Sequence, residues 1–177
     1  IGYGLDNRFD YALNRFSNFS FPCGGGNPEA CELVKEVILN WAKSDAAKRT
    51  SPSNHEDRHW NDTLTVNLWV ASPMMAAYSF AKQTIKVPFE EDKIIKEWFE
   101  KIVKRNKHLM YGMTYKQDTQ AMGVPKRAHN HALSSAIAHM ELGILLNDNT
   151  QFRKAFKNYE AAIKYQRGDG SLPIETR

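Results

Sequence analysis

Apolar residues recur along most of this chain at the three- and four-residue spacing of an amphipathic helix. The first clear example follows Asn27, a suitable helix cap, and places Pro28 at the first helical position. Its apolar residues are Ala30, Leu33, Val34, Val37, Ile38 and Trp41. Because these positions share one side of a helix, the pattern predicts a helix that begins at Pro28 and buries this face.

Two further stretches in the first half of the chain predict helices. One begins near Asp62 or Thr63 and runs through Ala81, and Pro73 inside it is expected to kink or divide it. The other covers residues 90–105, where an acidic start and a basic end complement the helix dipole. The second of these stretches places its large apolar residues on one helix face: Ile94, Ile95, Trp98, Phe99, Ile102 and Val103.

The second half of the chain predicts two more helices. The first begins at about Asn130 and the second near Thr150. Their apolar positions are Leu133, Ile137, Met140, Ile144 and Leu145 in the first, and Phe152, Ala155, Phe156, Tyr159, Ala162 and Ile163 in the second. Because the turn between them is short, we expect the two helices to be antiparallel neighbours.

The fold class predicted by these patterns is all-α. No stretch alternates with period two for long enough to indicate a strand. The length of 177 residues suits a single domain over 1–177, and repeated helix pairs are typical of a helical toroid or solenoid. The long polar connections, Ser44–His59 and Leu109–Lys126, are the expected carriers of function.

Composition narrows the classes of partner. Lys and Arg number 24 against 20 Asp and Glu, a net charge of +4, without the dense basic stripe of a nucleic-acid-binding protein. This mild excess would suit an anionic small molecule or an anionic glycan. No apolar run reaches the length of about 18 residues that a membrane span needs, so no membrane partner is expected.

Cys23 and Cys31 are the only two cysteines and flank a glycine-rich segment. A pair this close could form a small disulfide loop in an oxidising compartment, or the two could be unrelated free thiols. No second Cys or His pair stands at zinc-finger spacing, so no metal site is expected.

Three adjacent polar residues, His129, Asn130 and His131, stand where the fourth predicted helix begins. At the positive end of a helix, an imidazole and a neutral amide could hold a carboxylate and weaken the adjacent C–H acid. The alternative is that Asn130 caps the helix and both imidazoles are exposed.

A second motif follows the last predicted helix. The segment "RGDGSLPIETR", residues 167–177, begins with a turn at 168–170 and continues as extended chain before Glu175 and Arg177. By itself this segment reads equally well as an ordinary turn at the end of a helix.

Together the two motifs resemble the alginate lyase family of polysaccharide lyases. That family carries an Asn-Asn-His segment at a helix start, then a helix pair and a turn similar to Asp169–Glu175, followed by an Arg and a Tyr. The resemblance is specific over about residues 127–177 and implies an incomplete (α/α) toroid built from antiparallel helix pairs. It also implies a periplasmic or secreted enzyme that uses no cofactor.

This sequence departs from the family pattern at three places. His129 replaces the first Asn, and Ala132 and Leu133 stand where an aromatic pair often follows the His. The family's Arg falls at Arg177 or one place beyond it, and its Tyr falls beyond Arg177, so the chain is expected to be the N-terminal part of a longer enzyme.

The resemblance implies cleavage of a polyuronate, most simply alginate, by β-elimination. Asn130 would neutralise the carboxylate, and His131 would assist it or act as the base. Arg177 is the candidate for the family's arginine, and His129 would shape the substrate cleft.

Other candidates for binding the anionic polysaccharide lie in the long connections. Arg58, His59 and Trp60 could contact uronate carboxylates and stack on a sugar ring. Tyr115 and Lys116 are similar candidates on the later connection.

Three alternatives stay open beside an alginate lyase. They are a lyase for another uronate such as a glucuronan, a non-catalytic helical module that binds acidic glycans, and a plain helical scaffold.

Overall fold

The computed structural model describes residues 7–46, 58–105, 130–164, 166 and 168–170, with side chains for 16–46, 70–104, 133–161, 163, 164, 166 and 168–170. These residues form six helices and no strand, which confirms the all-α prediction. The helices are α1 (Asn7–Gly24), α2 (Pro28–Lys43), α3 (Arg58–Thr84), α4 (Phe89–Arg105), α5 (Asn130–Leu146) and α6 (Asn149–Ile163).

The first helix, α1, was not predicted from the apolar pattern. Its sequence contains several Asn and Ser residues of modest helix propensity, and Pro22 lies inside its last turn. Packing compensates for this low helix propensity. Phe16 is buried, and its ring contacts that of Phe19 edge to face with the ring centroids 5.2 Å apart. Tertiary contacts with α2 and α3 therefore stabilise a helix that its own sequence favours weakly.

The predicted start of α2 is confirmed. The Asn27 side chain accepts a hydrogen bond from the backbone N–H of Ala30 at 3.0 Å, and Pro28 occupies the first turn. The predicted buried face is also largely correct, since Ala30, Val34 and Ile38 are buried. Leu33 is the exception at 49% exposure, because it lies at the margin of that face.

The helix α3 is central to the packing, because it contacts α1, α2, α4 and α5. It remains one helix across Pro73, so the proline does not divide it. It also begins at Arg58, earlier than the predicted start at Asp62 or Thr63.

Helices α1–α4 together enclose an apolar core, which we call the α1–α4 core. Its largest fully buried side chains include Tyr78 and Phe99, whose rings lie 6.5 Å apart. Trp98 packs against Phe99 at 4.9 Å and donates a hydrogen bond from Nε1 to the carbonyl oxygen of Ala46 at 2.9 Å. From α5, three apolar residues join this core: Ala138, Leu142 and Leu145.

A disulfide bond joins Cys23 at the end of α1 to Cys31 in α2, as the first of the two interpretations of the cysteine pair predicted. Both cysteines are buried. The intervening turn contains Gly26 at a φ of +85°, a conformation that L side chains rarely adopt. The disulfide therefore holds the first two helices together at a tight, glycine-dependent turn.

Helices α5 and α6 form the predicted antiparallel hairpin. Asn147, at a φ of 56°, follows the last residue of α5. The Asp148 side chain caps α6 by accepting a hydrogen bond from the backbone N–H of Gln151 at 3.0 Å. The two helices approach closely at Gly143, where an added Cβ would lie 2.9 Å from the backbone nitrogen of Phe152. A glycine at this position is therefore required for the observed packing.

The buried face of α5 differs from the one that its large apolar residues indicate. Ile137 and Ile144 are 36% and 61% exposed, whereas the buried positions are occupied by Ser135, Ala136, Ala138, His139, Leu142 and Leu145. The α6 pattern is similarly displaced, since Ala155 is buried but Phe156 is 41% exposed. The reason is steric, because small side chains on α5 allow α3 and α6 to pack closely against it. Closure of the helix pairs into an incomplete toroid stays a prediction.

Candidate functional site

The N-terminus of α5 is the candidate functional site. The helix begins at Asn130 as predicted, with His131 in its first turn. His129 and the side chains of Asn130 and His131 lie outside the described residues. The first backbone N–H groups of a helix have no partner within it, and the first turn of α5 contains no acidic residue. This end of α5 is therefore suited to binding an anion such as a carboxylate.

The face of α5 that continues from position 131 is buried and partly polar. Positions 131, 135 and 139 succeed one another at four-residue intervals, so they follow one face of the helix. Ser135 is fully buried and His139 is 5% exposed. Neither Ser135 Oγ nor His139 Nε2 has a hydrogen-bond partner in the part of the chain that the structure describes.

His139 is held in its neutral form at neutral pH. Burial, reinforced by the positive charge of Lys154 on α6, lowers the pKa of its imidazole to about 4. A neutral imidazole offers one nitrogen that donates a hydrogen bond and one that accepts. The side chain is therefore an uncharged polar group, not a cation, at the pH where most enzymes act.

A second polar contact links α5 to the central helix α3. Ser72 Oγ donates a hydrogen bond to Glu141 Oε2 at 2.5 Å. Burial raises the pKa of the Glu141 carboxyl to about 7, although the Ser72 hydrogen bond acts in the opposite direction. Glu141 can therefore gain or lose a proton near neutrality. It lies about 16 Å along the helix axis from Asn130, at about 1.5 Å per residue, so it does not belong to the α5 N-terminus.

The tyrosine buried in the α1–α4 core is committed to a structural contact. The Tyr78 hydroxyl donates to Asp92 Oδ1 at 2.9 Å, and burial together with the Asp92 charge raises its pKa. Lys82 and Lys96 also contact the Asp92 carboxylate, at 2.8 and 2.7 Å. Burial raises the pKa of Asp92, but these three hydrogen bonds outweigh it and lower the pKa overall. This group stabilises the helix packing and is not suited to proton transfer to a substrate.

The remaining predicted site residues are not brought together by the described structure. Arg58, His59 and Trp60 lie in the first turn of α3, not in a loop as predicted. The reason is that α3 begins one helical turn earlier than its apolar pattern indicates. Tyr115, Lys116 and Arg177 lie outside the described residues, as do the side chains of Arg58, His59 and Trp60.

Four polar residues that lie on α5 or contact it were not predicted from the sequence: Ser72, Ser135, His139 and Glu141. A signal for two of them was present, because Ser135 and His139 follow His131 at helical spacing. The pairing of Ser72 with Glu141 depends on a contact 69 residues apart in sequence, which no local pattern reveals.

The described residues contain neither a metal site nor a membrane-spanning helix. No group of three or more His, Cys, Asp or Glu side chains there could hold a metal ion. Within the same residues, no helix is long and apolar enough to cross a membrane.

The family model described as Alginate lyase matches residues 25–177, a span that includes α2–α6, the candidate site and the turn at 168–170. No curated protein sequence and no solved structure matches the chain.

Proposed function

Because the chain belongs to the alginate lyase family, we propose that it acts as a polysaccharide lyase on a polyuronate, most simply alginate. The single observation that carries this proposal is the family match across the α5 N-terminus, where Asn130 and His131 occupy the first turn. The described arrangement supports it, because the positive end of a helix is suited to an anionic sugar.

The chemistry of β-elimination explains why these residue types suit the site. The C5 proton of a uronate is only weakly acidic until its neighbouring carboxylate is neutralised. Hydrogen bonds from Asn130 and from the α5 backbone N–H groups would strengthen as negative charge moves onto that carboxylate. Such donors stabilise the transition state more than the bound substrate.

Proton transfer completes the proposed reaction. His131 takes the C5 proton or assists Asn130 in binding the carboxylate. The electron pair of the C5–H bond forms the C4–C5 double bond, and the bond from C4 to the glycosidic oxygen breaks. A proton delivered to that oxygen then releases the new chain end. The described residues assign no acid for this last step.

The test is a panel of polyuronates incubated with the full-length protein. We expect ultraviolet absorbance from unsaturated uronate ends to rise with alginate, and to rise little in the His131→Ala variant. A matched control is Ser79→Ala, which removes a hydroxyl that donates to the Met75 carbonyl oxygen within α3.

The other outcomes separate the alternatives. A rise with glucuronan alone would assign the protein to another uronate. Binding of alginate without any absorbance change would identify a glycan-binding module. The proposal would be contradicted if the protein bound no polyuronate and produced no absorbance rise with any of them.

We further propose that the protein acts in the periplasm or outside the cell. The Cys23–Cys31 disulfide supports this location, because such bonds persist mainly in oxidising compartments. Fractionation of producing cells tests it: recovery of the protein only from the reducing cytosol would contradict the proposed location.

A further inference from the structure

Three aromatic side chains form a row on the surface of α6. The ring centroids of Phe152 and Phe156 lie 6.1 Å apart, and those of Phe156 and Tyr159 lie 6.5 Å apart. Phe156 is 41% exposed, and the other two side chains are partly buried. We call these three residues the α6 aromatic row. Ile163, which is also exposed, continues the row by one helical turn toward the end of α6.

The packing of the hairpin leaves this row uncovered among the described residues. Of the described helices, α6 packs against α5 and makes no comparable contact with another. The side of α6 that meets α5 carries Gln151, whose Nε2 donates to the His139 carbonyl oxygen at 3.3 Å, together with the buried residues Ala155 and Asn158. The aromatic row occupies the adjoining side of the helix. Contacting apolar side chains at a protein surface commonly mark a binding surface.

Basic side chains accompany the row along one flank. Arg153, Lys157 and Lys164 are exposed, and each comes directly after an apolar residue of the row or of its continuation. Because one position along an α-helix is a rotation of about 100°, these side chains lie beside the aromatic rings. No ion pair within the described residues involves any of the three. Glu160 is the acidic exception on this flank, which therefore has a net positive charge and complements an anionic partner.

Another exposed phenylalanine has the opposite electrostatic environment. Phe89 lies at the start of α4 and is followed by Glu90 and Glu91. Those carboxylates would repel an anion. An exposed aromatic side chain alone therefore does not define this surface of α6, which combines a row of contacting rings with a positive flank.

A polyuronate chain fits both features of the surface. One face of a sugar ring presents C–H groups that pack on an aromatic ring, and each uronate adds a carboxylate that Arg or Lys can bind. From Phe152 to Ile163 the surface extends about 16 Å along the helix, at about 1.5 Å per residue, so it can contact several successive sugars. Because the hairpin is antiparallel, α6 ends beside the start of α5. A chain that lies along the row would therefore run toward the candidate site.

We propose that the α6 aromatic row and its basic flank bind a polyuronate chain outside the candidate catalytic site, with a sugar ring packed on Phe156 and carboxylates bound by Arg153 and Lys157. The choice of polymer rests on the proposed function, whereas the binding surface does not. The charge of the flank disfavours a second copy of this chain as the occupant, because a symmetric contact would bring two positive surfaces together.

The first experiment measures alginate binding to the full-length protein carrying His131→Ala, so that the polymer is not cleaved. We expect Phe156→Ala to raise the Kd about fivefold, because part of a phenyl ring is buried on binding. Arg153→Ala combined with Lys157→Ala should raise the Kd about fivefold at low salt and less at high salt, because salt screens charges. The loss in Phe156→Ala should depend little on salt.

The matched controls for these variants lie on α4. Phe89→Ala removes an exposed ring, and Lys93→Ala removes an exposed charge, both away from the α6 aromatic row. Neither substitution should change the Kd for alginate. A neutral polysaccharide such as dextran should not bind this surface, because it lacks the carboxylates.

The second experiment separates this surface from the catalytic site. In the protein with His131 intact, Phe156→Ala should raise KM for polymeric alginate about fivefold, in line with the Kd, and leave kcat unchanged. Both constants for the shortest substrate that the protein cleaves should be unchanged, because that substrate occupies the candidate site alone. Salt-sensitive alginate binding through this surface in a protein that cleaves no polyuronate would reject the proposed function and retain the inference.

Unchanged alginate affinity in Phe156→Ala and in the double basic variant would overturn the inference. It would also be overturned if protein covers the row. Phe156→Ala would then dissociate a dimer in light scattering, or lower the melting temperature as the loss of a buried phenylalanine does, while the affinity for alginate stays the same. If Phe156→Ala does not fold, the double variant, whose altered side chains are both exposed, decides by itself.

Discussion

The α1–α4 core and the α5–α6 hairpin bury different kinds of side chain. Among the described residues, the buried side chains that α1–α4 contribute to their core are apolar, and their two polar atoms are paired: the Tyr78 hydroxyl with Asp92 and Trp98 Nε1 with the Ala46 carbonyl oxygen. The buried polar residues, Ser135, His139 and Asn158, all belong to the hairpin. The hairpin also carries Glu141, and burial raises the pKa of its carboxyl to about 7.

This difference gives the two regions different roles, one in the stability of the fold and the other in the proposed function. Burying an apolar side chain stabilises a fold, whereas burying an unpaired polar atom costs about 1–3 kcal/mol. The α1–α4 part therefore supports the fold, and it is tied further by the Cys23–Cys31 disulfide. In the hairpin, the polar atoms of Ser135 and His139, unpaired among the described residues, lower the stability of the helix that carries Asn130 and His131. Substitutions should distinguish the two regions by what they change.

The largest expected effect is on stability, in the α1–α4 core. Phe99→Ala should lower the free energy of unfolding by about 3–5 kcal/mol, because it leaves a cavity at a fully buried position. Phe89→Ala is the matched control, since Phe89 lies in the same helix and is 76% exposed. Its effect should stay within about 0.5 kcal/mol.

Urea denaturation of the two variants, with turnover measured under native conditions, checks this expectation. Turnover per folded molecule should be unchanged in Phe99→Ala. Equal destabilisation by the two substitutions would mean that the α1–α4 core is not packed as described.

The next effect is on turnover, at the start of α5. Asn130→Ala and His131→Ala should each lower turnover by about 10²–10³-fold, equivalent to about 3 kcal/mol, as expected for a donor directed at developing charge. An exposed helix cap is worth only about 1 kcal/mol, so the loss of stability should be small. His129→Ala should lower turnover less, because it shapes the cleft in the proposed site.

Steady-state kinetics and thermal denaturation of the three variants separate these contributions. If Asn130→Ala lowers the melting temperature while turnover stays within a factor of about three, helix capping is its role and the proposed site is wrong.

A smaller effect on stability is expected from the disulfide. Replacing both Cys23 and Cys31 by Ala should lower the free energy of unfolding by about 2–3 kcal/mol, because the bond restricts a short loop of the unfolded chain. Turnover should not change, since both cysteines lie in the α1–α4 part. Chemical denaturation of the variant and of the parent with and without reductant measures the effect.

Mass spectrometry of the parent protein provides an independent check of the bond. Alkylation without reductant should add no label. Two labelled thiols would refute the bond, and any difference in stability would then need another cause.

The smallest effect is a pH dependence that arises in the hairpin. The folded-state pKa of Glu141, about 7, lies above its ordinary value, so the folded protein binds more protons than the unfolded chain between those two values. Stability is therefore lost as pH rises through that interval. Glu141→Gln keeps an acceptor for Ser72 and removes the charge.

We expect Glu141→Gln to be more stable than the parent at pH 8, by about 1–2 kcal/mol after allowance for partial exposure to solvent. The two proteins should be similar near pH 4. Denaturation curves across this range test the sign, and parallel curves for the parent and variant would exclude a protonated Glu141 at neutrality.

Some features followed from local sequence because their causes are local. Asn27 and Pro28 mark the start of α2 through backbone capping, and the short segment after Leu146 forces α5 and α6 to double back. The start of α5 at Asn130 was predicted in the same way, as was the turn at residues 168–170. In each case the atoms involved are only a few residues apart.

What the sequence by itself determined is therefore the helical class, most helix positions and the membership of the alginate lyase family. The tertiary structure decided which faces are buried, because burial depends on the neighbouring helix and not on periodicity alone. On α5 the small residues and Gly143 admit α3 and α6, so Ser135 and His139 are enclosed while Ile144 is exposed. Packing likewise decided that α1 is a helix and that Ser72 meets Glu141, since both depend on contacts between residues distant in sequence.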